Sequence, residues 1–278
     1  MKYARLAVIT LVVAGVAGVV IARHTGDSQD LKAAVAQGEP AAATAGFAVF
    51  DPNGFKAFHD TLAPEHATRL EESPWITDDR RADQRIVAIA EARGYRLRSV
   101  ALTHLLVEVD GQRLQSEAKL AWEELKADAL EHGIELTLIS GYRSVERQRA
   151  IFRALLREEA IKELGRSFTK AEIAQGKADN AIDRILAESS IPGYSKHHSG
   201  YTLDIGDATS GLDFTEFRQT QGFSWLSQNN YLNAKRHGFI PSYPEGAEQQ
   251  GPDPEAWEYV WVGVESLMKG QTNGNLRS

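Results

Sequence analysis

The chain has 278 residues, 42% hydrophobic and 25% charged, which is ordinary for one large folded domain or one domain with an appended segment. Its 38 acidic and 31 basic residues give a net charge of −7, and no basic cluster is present. Because nucleic-acid-binding domains normally carry a clustered basic face, we expect no nucleic-acid partner. The absence of cysteine excludes disulfide bonds and a lipidated cysteine.

An uncharged, mostly apolar run at residues 6–22 follows Lys2 and Arg5. Its position and basic flank indicate an export segment rather than a core helix. Residues 1–23 are therefore predicted to be a signal peptide or a membrane anchor, and the sequence leaves both open. We expect the protein in the periplasm or cell envelope. Residues 24–46, rich in Ala, Gly, Ser and Thr, are predicted to be a flexible tether.

Residues 47–100 are predicted to form a small helical region whose last helix ends near Gly94. The main domain, predicted for residues 101–270, opens with a hairpin that turns at Asp110-Gly111. Ser116 is the predicted N-cap of the next helix. The inward-facing residues of that helix are predicted to be Trp122, Leu125 and Leu130.

The rest of the main domain alternates between helical and strand patterns. Strands are predicted at residues 134–139 and 257–264, and helices at 145–164, 169–189 and 225–237. Helices that flank a small, mostly antiparallel sheet make the predicted fold class α+β.

The clearest chemical signal lies in residues 195–204. His197 and Asp204 lie seven residues apart, on either side of a glycine that permits a sharp turn. Apolar and polar residues alternate after the turn, so Asp204 points away from the apolar face of a strand, where it can meet His197 across a metal ion. Imidazole and carboxylate are common zinc ligands, and a catalytic zinc site usually takes three protein ligands.

Four blocks occur in a fixed order: Ser140-Gly-Tyr-Arg-Ser-x-x-x-Gln148, Ser195-x-His-x-x-Gly-x-x-x-Asp204, Gly238-Phe-Ile-x-Ser-Tyr-Pro244 and Glu255-x-Trp257. Together they resemble the VanY-type D-alanyl-D-alanine carboxypeptidases, zinc peptidases of bacterial cell walls with the lysostaphin/hedgehog-type fold. The resemblance covers residues 97–263. It implies a hedgehog-like or D-Ala-D-Ala-peptidase-like α+β fold and peptidoglycan stem peptides as the substrate.

The resemblance also implies a role for individual residues. His197 and Asp204 would bind zinc, and Glu255 would be the general base that deprotonates the metal-bound water. Arg143 would hold the substrate and stabilise the developing oxyanion. The residues that the resemblance places at the substrate are Arg143, Gln148, Ser195 and Trp257.

One position departs from the family pattern, because Glu258 stands where the family has its third zinc ligand, a histidine. As a ligand, Glu258 would add a second carboxylate, lower the Lewis acidity of the ion and favour harder ions such as Mn²⁺. In the alternative, Glu258 lies in water and binds nothing. His198 is expected to face solvent or to support a ligand, and His237 is either a helix-terminal cation or a replacement ligand.

The sequence thus predicts a zinc-dependent enzyme that hydrolyses the terminal D-alanine from peptidoglycan stem peptides. Glu258 keeps a second hypothesis open, a pseudoenzyme that binds cell-wall peptides without hydrolysing them. A third is a peptidoglycan endopeptidase. The expected partners are stem peptides, and the inner membrane if the N-terminal segment is not cleaved.

Overall fold

A computed structural model provides the structure of residues 46–62 and 64–268. The predicted export segment lies outside these residues, as does all of the predicted tether except Gly46. The chain divides into two units, Met1–Gly46 and Phe47–Ser278, and the fold described here belongs to the second. Among the described residues, no helix is both long and apolar enough to cross a bilayer.

The described chain is an α+β fold, as predicted. Its helices are α1 (Pro52–Thr61), α2 (Arg80–Ala92), α3 (Ser116–Glu131), α4 (Val145–Leu164), α5 (Lys170–Ala174), α6 (Asp179–Leu186) and α7 (Gln221–Arg236). Its strands are β1 (Ala67–Arg69), β2 (Ser99–Ala101), β3 (Val107–Val109), β4 (Gln112–Leu114), β5 (Leu136–Ser140), β6 (Thr202–Asp207), β7 (Phe239–Tyr243) and β8 (Glu255–Trp261). The central sheet has the order β5-β6-β8-β7 with every pair antiparallel, while β1-β2 and β3-β4 form separate antiparallel pairs.

The main hydrophobic core involves the central sheet with α3 and α7. Leu203 and Ile205 of β6 are fully buried in one cluster with Trp122 and Leu125 of α3. Side chains alternate along a strand, so Asp204 faces the opposite side of the sheet. The apolar residues of β6 thereby fix the direction in which its carboxylate points.

Helix α4 was predicted correctly at both ends. The hydroxyl of Ser144 accepts a hydrogen bond from the Arg147 amide at 3.1 Å, which caps the first turn. Gly165, with a φ of 68°, ends the helix in the left-handed conformation. The residues at the two ends of α4 were therefore sufficient to predict where the helix begins and ends.

The predictions for two other helices were partly wrong. Gln115, and not Ser116, is the N-cap of α3, and Leu130 is 63% exposed. Leu130 lies five residues after the buried Leu125, about 140° around the helix, and therefore faces solvent. The helix predicted for residues 169–189 is divided into α5 and α6, between which Gly176 adopts a φ of 82°.

Helix α1 attaches the first described residues to the main domain. Phe55 is buried in the main core cluster, and Asp60 accepts a hydrogen bond from Arg98 Nη1 at 3.0 Å. Burial and the nearby charge of Lys196 lower the pKa of His59 to about 3. His59 therefore stays neutral in the folded protein at pH values where a free histidine is protonated.

We expect His59→Asn to make the protein less sensitive to acid. The pKa of His59 is about 3 in the folded protein against an ordinary value of 6.5, so the unfolded chain binds the proton first as the pH falls. The stabilisation of the folded state that depends on neutral His59 is fully present above pH 6.5. It is lost as the pH falls toward 3, at up to about 1.4 kcal/mol per pH unit. The measurement is the free energy of unfolding against pH, with the exposed His104→Asn as control. Equal slopes for wild type and His59→Asn would contradict the prediction.

Candidate metal centre

A row of polar residues crosses the central sheet. The strand register places Ser140 opposite Asp204, and Asp204 opposite Glu258. Side chains directly opposed in antiparallel strands lie about 5 Å apart, and like charges at such positions destabilise the sheet. Asp204 and Glu258 are only 7% and 5% exposed. Two buried carboxylates side by side therefore require a positive partner.

His197 completes the cluster. Its Nε2 lies 3.4 Å from Asp204 Oδ1 and 3.3 Å from Glu258 Oε2. Its Nδ1 lies 2.7 Å from the Gly141 carbonyl oxygen, an acceptor that fixes the proton on Nδ1 and leaves Nε2 as the ligand atom in the neutral ring. One ligand atom from each of the three side chains lies within 4.8 Å of the other two.

The donor set fits a divalent cation. Within the described chain, Asp204 Oδ1 is a buried oxygen that makes no hydrogen bond, and either a metal ion or a protonated His197 would satisfy it. Burial lowers the pKa of His197, but the charges of Asp204 and Glu258 outweigh burial and raise it to about 9. The cluster thus has an excess of negative charge. One imidazole and two carboxylates are ligand types that catalytic zinc and Mn²⁺ both accept.

Glu255 reaches this cluster through an irregularity in the sheet. Pro241 pairs with Tyr259 but Tyr243 pairs with Glu255, so the register of β7 and β8 shifts between the two pairs. Regular alternation would put Glu255 and Glu258, three residues apart, on opposite faces. Burial and the charge of Glu258 raise the pKa of Glu255 well above its usual value. A carboxyl group of raised pKa suits a residue that accepts and then returns a proton.

Arg143 lies at the edge of the same cluster. Its Nη2 is 3.8 Å from Asp204 Oδ2, and its side chain is 23% exposed. Its Nη1 donates to Gln148 Oε1 at 3.0 Å, and its backbone amide donates to the His197 carbonyl oxygen at 3.2 Å. The guanidinium is therefore held in place and still reaches solvent, where an anionic group can meet it.

The profile of the family described as VanY: D-alanyl-D-alanine carboxypeptidase matches residues 111–264, more than half of the chain. The chain belongs to the VanY family. The membership inferred from the four sequence blocks is thereby confirmed. The matched range includes the three clustered side chains together with Arg143 and Glu255.

The chain is similar in sequence to individual carboxypeptidases of bacteria. The chain is 28% identical over 168 residues to YodJ of Bacillus subtilis (strain 168), by its name a carboxypeptidase, and the match covers 60% of this chain and 52% of YodJ. It is 28% identical over 161 residues to a D-alanyl-D-alanine carboxypeptidase of Enterococcus faecalis (strain ATCC 700802 / V583). That match covers 58% of this chain and 52% of the relative. The chain spans about half the length of these curated relatives.

Solved structures similar to the chain include a mutant of the vancomycin-resistance D,D-pentapeptidase VanY in complex with Zn(II). That chain is 26% identical to this one, with a TM-score of 0.42, and the match covers 58% of this chain and 79% of that chain.

Of the residues expected at the substrate from the VanY resemblance, Arg143 lies at the cluster with a partly exposed guanidinium. Gln148 is fully buried, and its amide donates to the Ser190 carbonyl oxygen at 2.6 Å while its Oε1 accepts from Arg143. Gln148 therefore positions Arg143. Ser195 is buried just before the turn that carries His197, and the half-buried Trp257 packs edge-on against Phe214 with ring centres 5.6 Å apart.

Two further histidines have structural contacts. His198 is fully buried, so of its two expected positions the solvent-facing one is excluded and the supporting one remains. Its Nδ1 lies 2.6 Å from the Arg143 carbonyl oxygen, and its Nε2 accepts from the Gly193 amide at 3.0 Å. It thus supports the loop around Arg143. His237 Nε2 lies 2.9 Å from Asp128 Oδ2, and His237 is not one of the clustered side chains.

We expect Gln148→Met to lower the free energy of unfolding by about 1–3 kcal/mol, because the buried Ser190 carbonyl loses its donor and Arg143 loses its acceptor. A double-mutant cycle with Arg143→Met should give a coupling energy of about 0.5–3 kcal/mol. Denaturant unfolding measures both quantities. Gln175→Met, at an exposed position, is the control. Strict additivity of the two substitutions would contradict the positioning role.

Proposed function

We propose that the chain is a metal-dependent D,D-carboxypeptidase that removes the terminal D-alanine from peptidoglycan stem peptides. The observation that carries this proposal is the convergence of His197, Asp204 and Glu258 on one point beside Glu255 and Arg143. Membership of the VanY family supports the reaction class, and the Enterococcus faecalis relative, a D-alanyl-D-alanine carboxypeptidase by name, supports the substrate class.

His197, Asp204 and Glu258 would hold the metal ion. Zinc is the proposed ion, since all three ligand types occur in catalytic zinc sites, and Mn²⁺ is the runner-up because two of the three are carboxylates. A divalent ion bound there would polarise the peptide carbonyl and lower the pKa of water. Two carboxylates offset its charge, so we expect weaker Lewis acidity than with a second imidazole.

Glu255 is the proposed general base. Its carboxylate takes a proton from the water that attacks the carbonyl carbon, and later delivers a proton to the nitrogen of the departing D-alanine. Bond breaking then yields a shortened peptide and free D-alanine, with the components of one water divided between them. The raised pKa of Glu255 helps the carboxyl group to keep its proton until the amine leaves.

Arg143 is proposed to bind the anionic part of the substrate. Its guanidinium can pair with the terminal carboxylate of the peptide or with the oxyanion that develops during attack, since both present oxygens that match its planar fork. Gln148 holds Nη1 at 3.0 Å, which limits the rotation of the guanidinium before the substrate arrives.

A second function, binding of cell-wall peptides without hydrolysis, is favoured by one feature of the cluster. A protonated His197 would pair with both Asp204 and Glu258, at the observed 3.4 and 3.3 Å, and would satisfy them without a metal. Peptide binding unchanged by chelators, together with no turnover, would establish this alternative.

We further propose that the protein acts in the periplasm or at the cell envelope, exported by residues 1–23. The uncharged run at residues 6–22 after Lys2 and Arg5 supports export. An inner-membrane contact follows if that segment stays uncleaved. Cell fractionation with N-terminal sequencing of the recovered chain separates a cleaved signal from an anchor, and recovery of the uncleaved chain in the cytosol would contradict export.

The test of the reaction is product analysis with purified full-length protein, supplied with Zn²⁺ or Mn²⁺ and a pentapeptide ending in D-Ala-D-Ala. We expect release of one D-alanine per peptide. Cross-linked wall fragments, digested in parallel, reveal endopeptidase activity by their fragment sizes. If the metal-loaded wild type releases no D-alanine while Glu258→His does, the wild-type chain is not a carboxypeptidase.

A further inference from the structure

The two carboxylate oxygens of Glu258 have different partners. Oε1 accepts a hydrogen bond from Ser242 Oγ at 2.5 Å, whereas Oε2 faces His197 Nε2 at 3.3 Å. Ser242 and Glu258 are only 2% and 5% exposed, so solvent does not compete for these contacts. One oxygen is thus occupied by the protein, and the other points to the place where the ligand atoms converge.

The irregular pairing of β7 and β8 brings Ser242 to Glu258. Because Pro241 pairs with Tyr259 and Tyr243 pairs with Glu255, the single residue Ser242 lies opposite residues 256–258 of β8. Irregularities of this kind redirect side chains and are frequent beside active sites. Here the irregularity aims a hydroxyl group at a carboxylate in the neighbouring strand.

Ser242 is also fixed from its backbone side. Lys196 Nζ donates to the Ser242 carbonyl oxygen at 2.6 Å and lies 4.0 Å from the centre of the Tyr243 ring. Lys196 is itself buried and directly precedes His197 in the chain. The strand that carries Ser242 is therefore tied to the turn that carries His197, so the hydroxyl and the imidazole keep a fixed relation to Glu258.

We propose that Ser242 is a positioning residue that makes Glu258 a one-atom metal ligand through Oε2. This inference rests on the metal site of the proposed function and goes beyond it. A carboxylate with both oxygens free can bind a cation through either one or both, while an imidazole offers a single nitrogen. The hydrogen bond reserves Oε1 and holds the carboxylate so that Oε2 faces His197 Nε2, which orients the ligand atom before the ion binds.

The test uses purified full-length wild type, Ser242→Ala and Ser266→Ala. Ser266 is the matched control, since its Oγ donates to the Val262 carbonyl oxygen at 2.6 Å, outside the cluster. Zn²⁺ affinity is measured by chelator competition. The coordination number of the bound zinc is measured by X-ray absorption. If Ser242 had a merely structural role, its substitution would not change this coordination number.

We expect Ser242→Ala to bind Zn²⁺ about 10- to 100-fold more weakly, the usual effect of removing a group that supports a ligand. The coordination number should rise by one, because Oε1 becomes free to bind. Ser266→Ala should match wild type in both. If wild type binds zinc and Ser242→Ala leaves the coordination number of the zinc unchanged, this inference is overturned, whatever the affinity of the variant, and the proposed function stands. If wild type binds neither Zn²⁺ nor Mn²⁺, both are overturned.

Discussion

Glu255→Gln should lower kcat/KM for D-alanine release by about 10²- to 10⁴-fold, the range in which a positioned general acid–base group contributes. Glutamine keeps the size and shape of the side chain but cannot take a proton from water or return one to the leaving amine. Because Glu255 is not one of the three proposed ligands, the metal content of the variant should equal that of wild type. D-Alanine release and metal content are measured on the same preparation.

Glu248→Gln is the matched control for this substitution, since Glu248 is exposed in the loop between β7 and β8. It should retain wild-type activity. Loss of metal together with activity in Glu255→Gln would assign Glu255 to the ligand set and remove its role as the base. Wild-type turnover in Glu255→Gln would exclude Glu255 from the chemistry.

Arg143→Lys should lower kcat/KM by about 10²- to 10³-fold, comparable to the loss of one donor that stabilises an oxyanion. Lysine keeps the charge but loses the planar fork that can contact two oxygens at once. A rise in KM at constant kcat would assign Arg143 to the terminal carboxylate of the peptide. A fall in kcat would assign it to the oxyanion.

A peptide with an amidated C-terminus separates these roles further. If Arg143 binds the terminal carboxylate, wild type should lose most of its advantage over Arg143→Lys on the amidated peptide. Arg147→Lys, at an exposed position in the first turn of α4, is the control and should leave both substrates unaffected. Equal kcat/KM for Arg143→Lys and wild type on the natural peptide would remove Arg143 from the site.

The fold was predictable where local signals determine the structure. Ser144 and Gly165 mark the two ends of α4. The alternation of Leu203 and Ile205 with polar residues correctly indicated strand β6 and the direction of Asp204. The division of α5 from α6 was missed, because it depends on the positive φ of Gly176, a backbone conformation that the helical pattern of residues 169–189 does not reveal.

The site was only partly predictable. The blocks supplied Arg143, His197, Asp204 and Glu255, and the departure from the family pattern supplied Glu258. The structure brings these five side chains together. The shared orientation of Glu255 and Glu258 depends on how β7 pairs with β8, which strand periodicity does not reveal. For the same reason the contact of Ser242 with Glu258 was missed, although Ser242 lies within one of the quoted blocks.

The supporting role of Gln148 was missed for a different reason. A polar residue in a conspicuous motif is readily interpreted as a substrate contact, and only burial shows that its amide is fully engaged with Arg143, Ser189 and Ser190. Burial of a helix residue depends on the tertiary packing around it, which the sequence alone did not give.

The most direct test of the metal site measures metal content and the rate of D-alanine release together in wild-type protein. Bound Zn²⁺ or Mn²⁺ is counted per chain while D-alanine release from the pentapeptide is followed through chelation and metal return. We predict one ion per chain, loss of D-alanine release when that ion is removed, and recovery when it is restored. Turnover that continues at full rate in ion-free protein would contradict the assignment of His197, Asp204 and Glu258 as ligands.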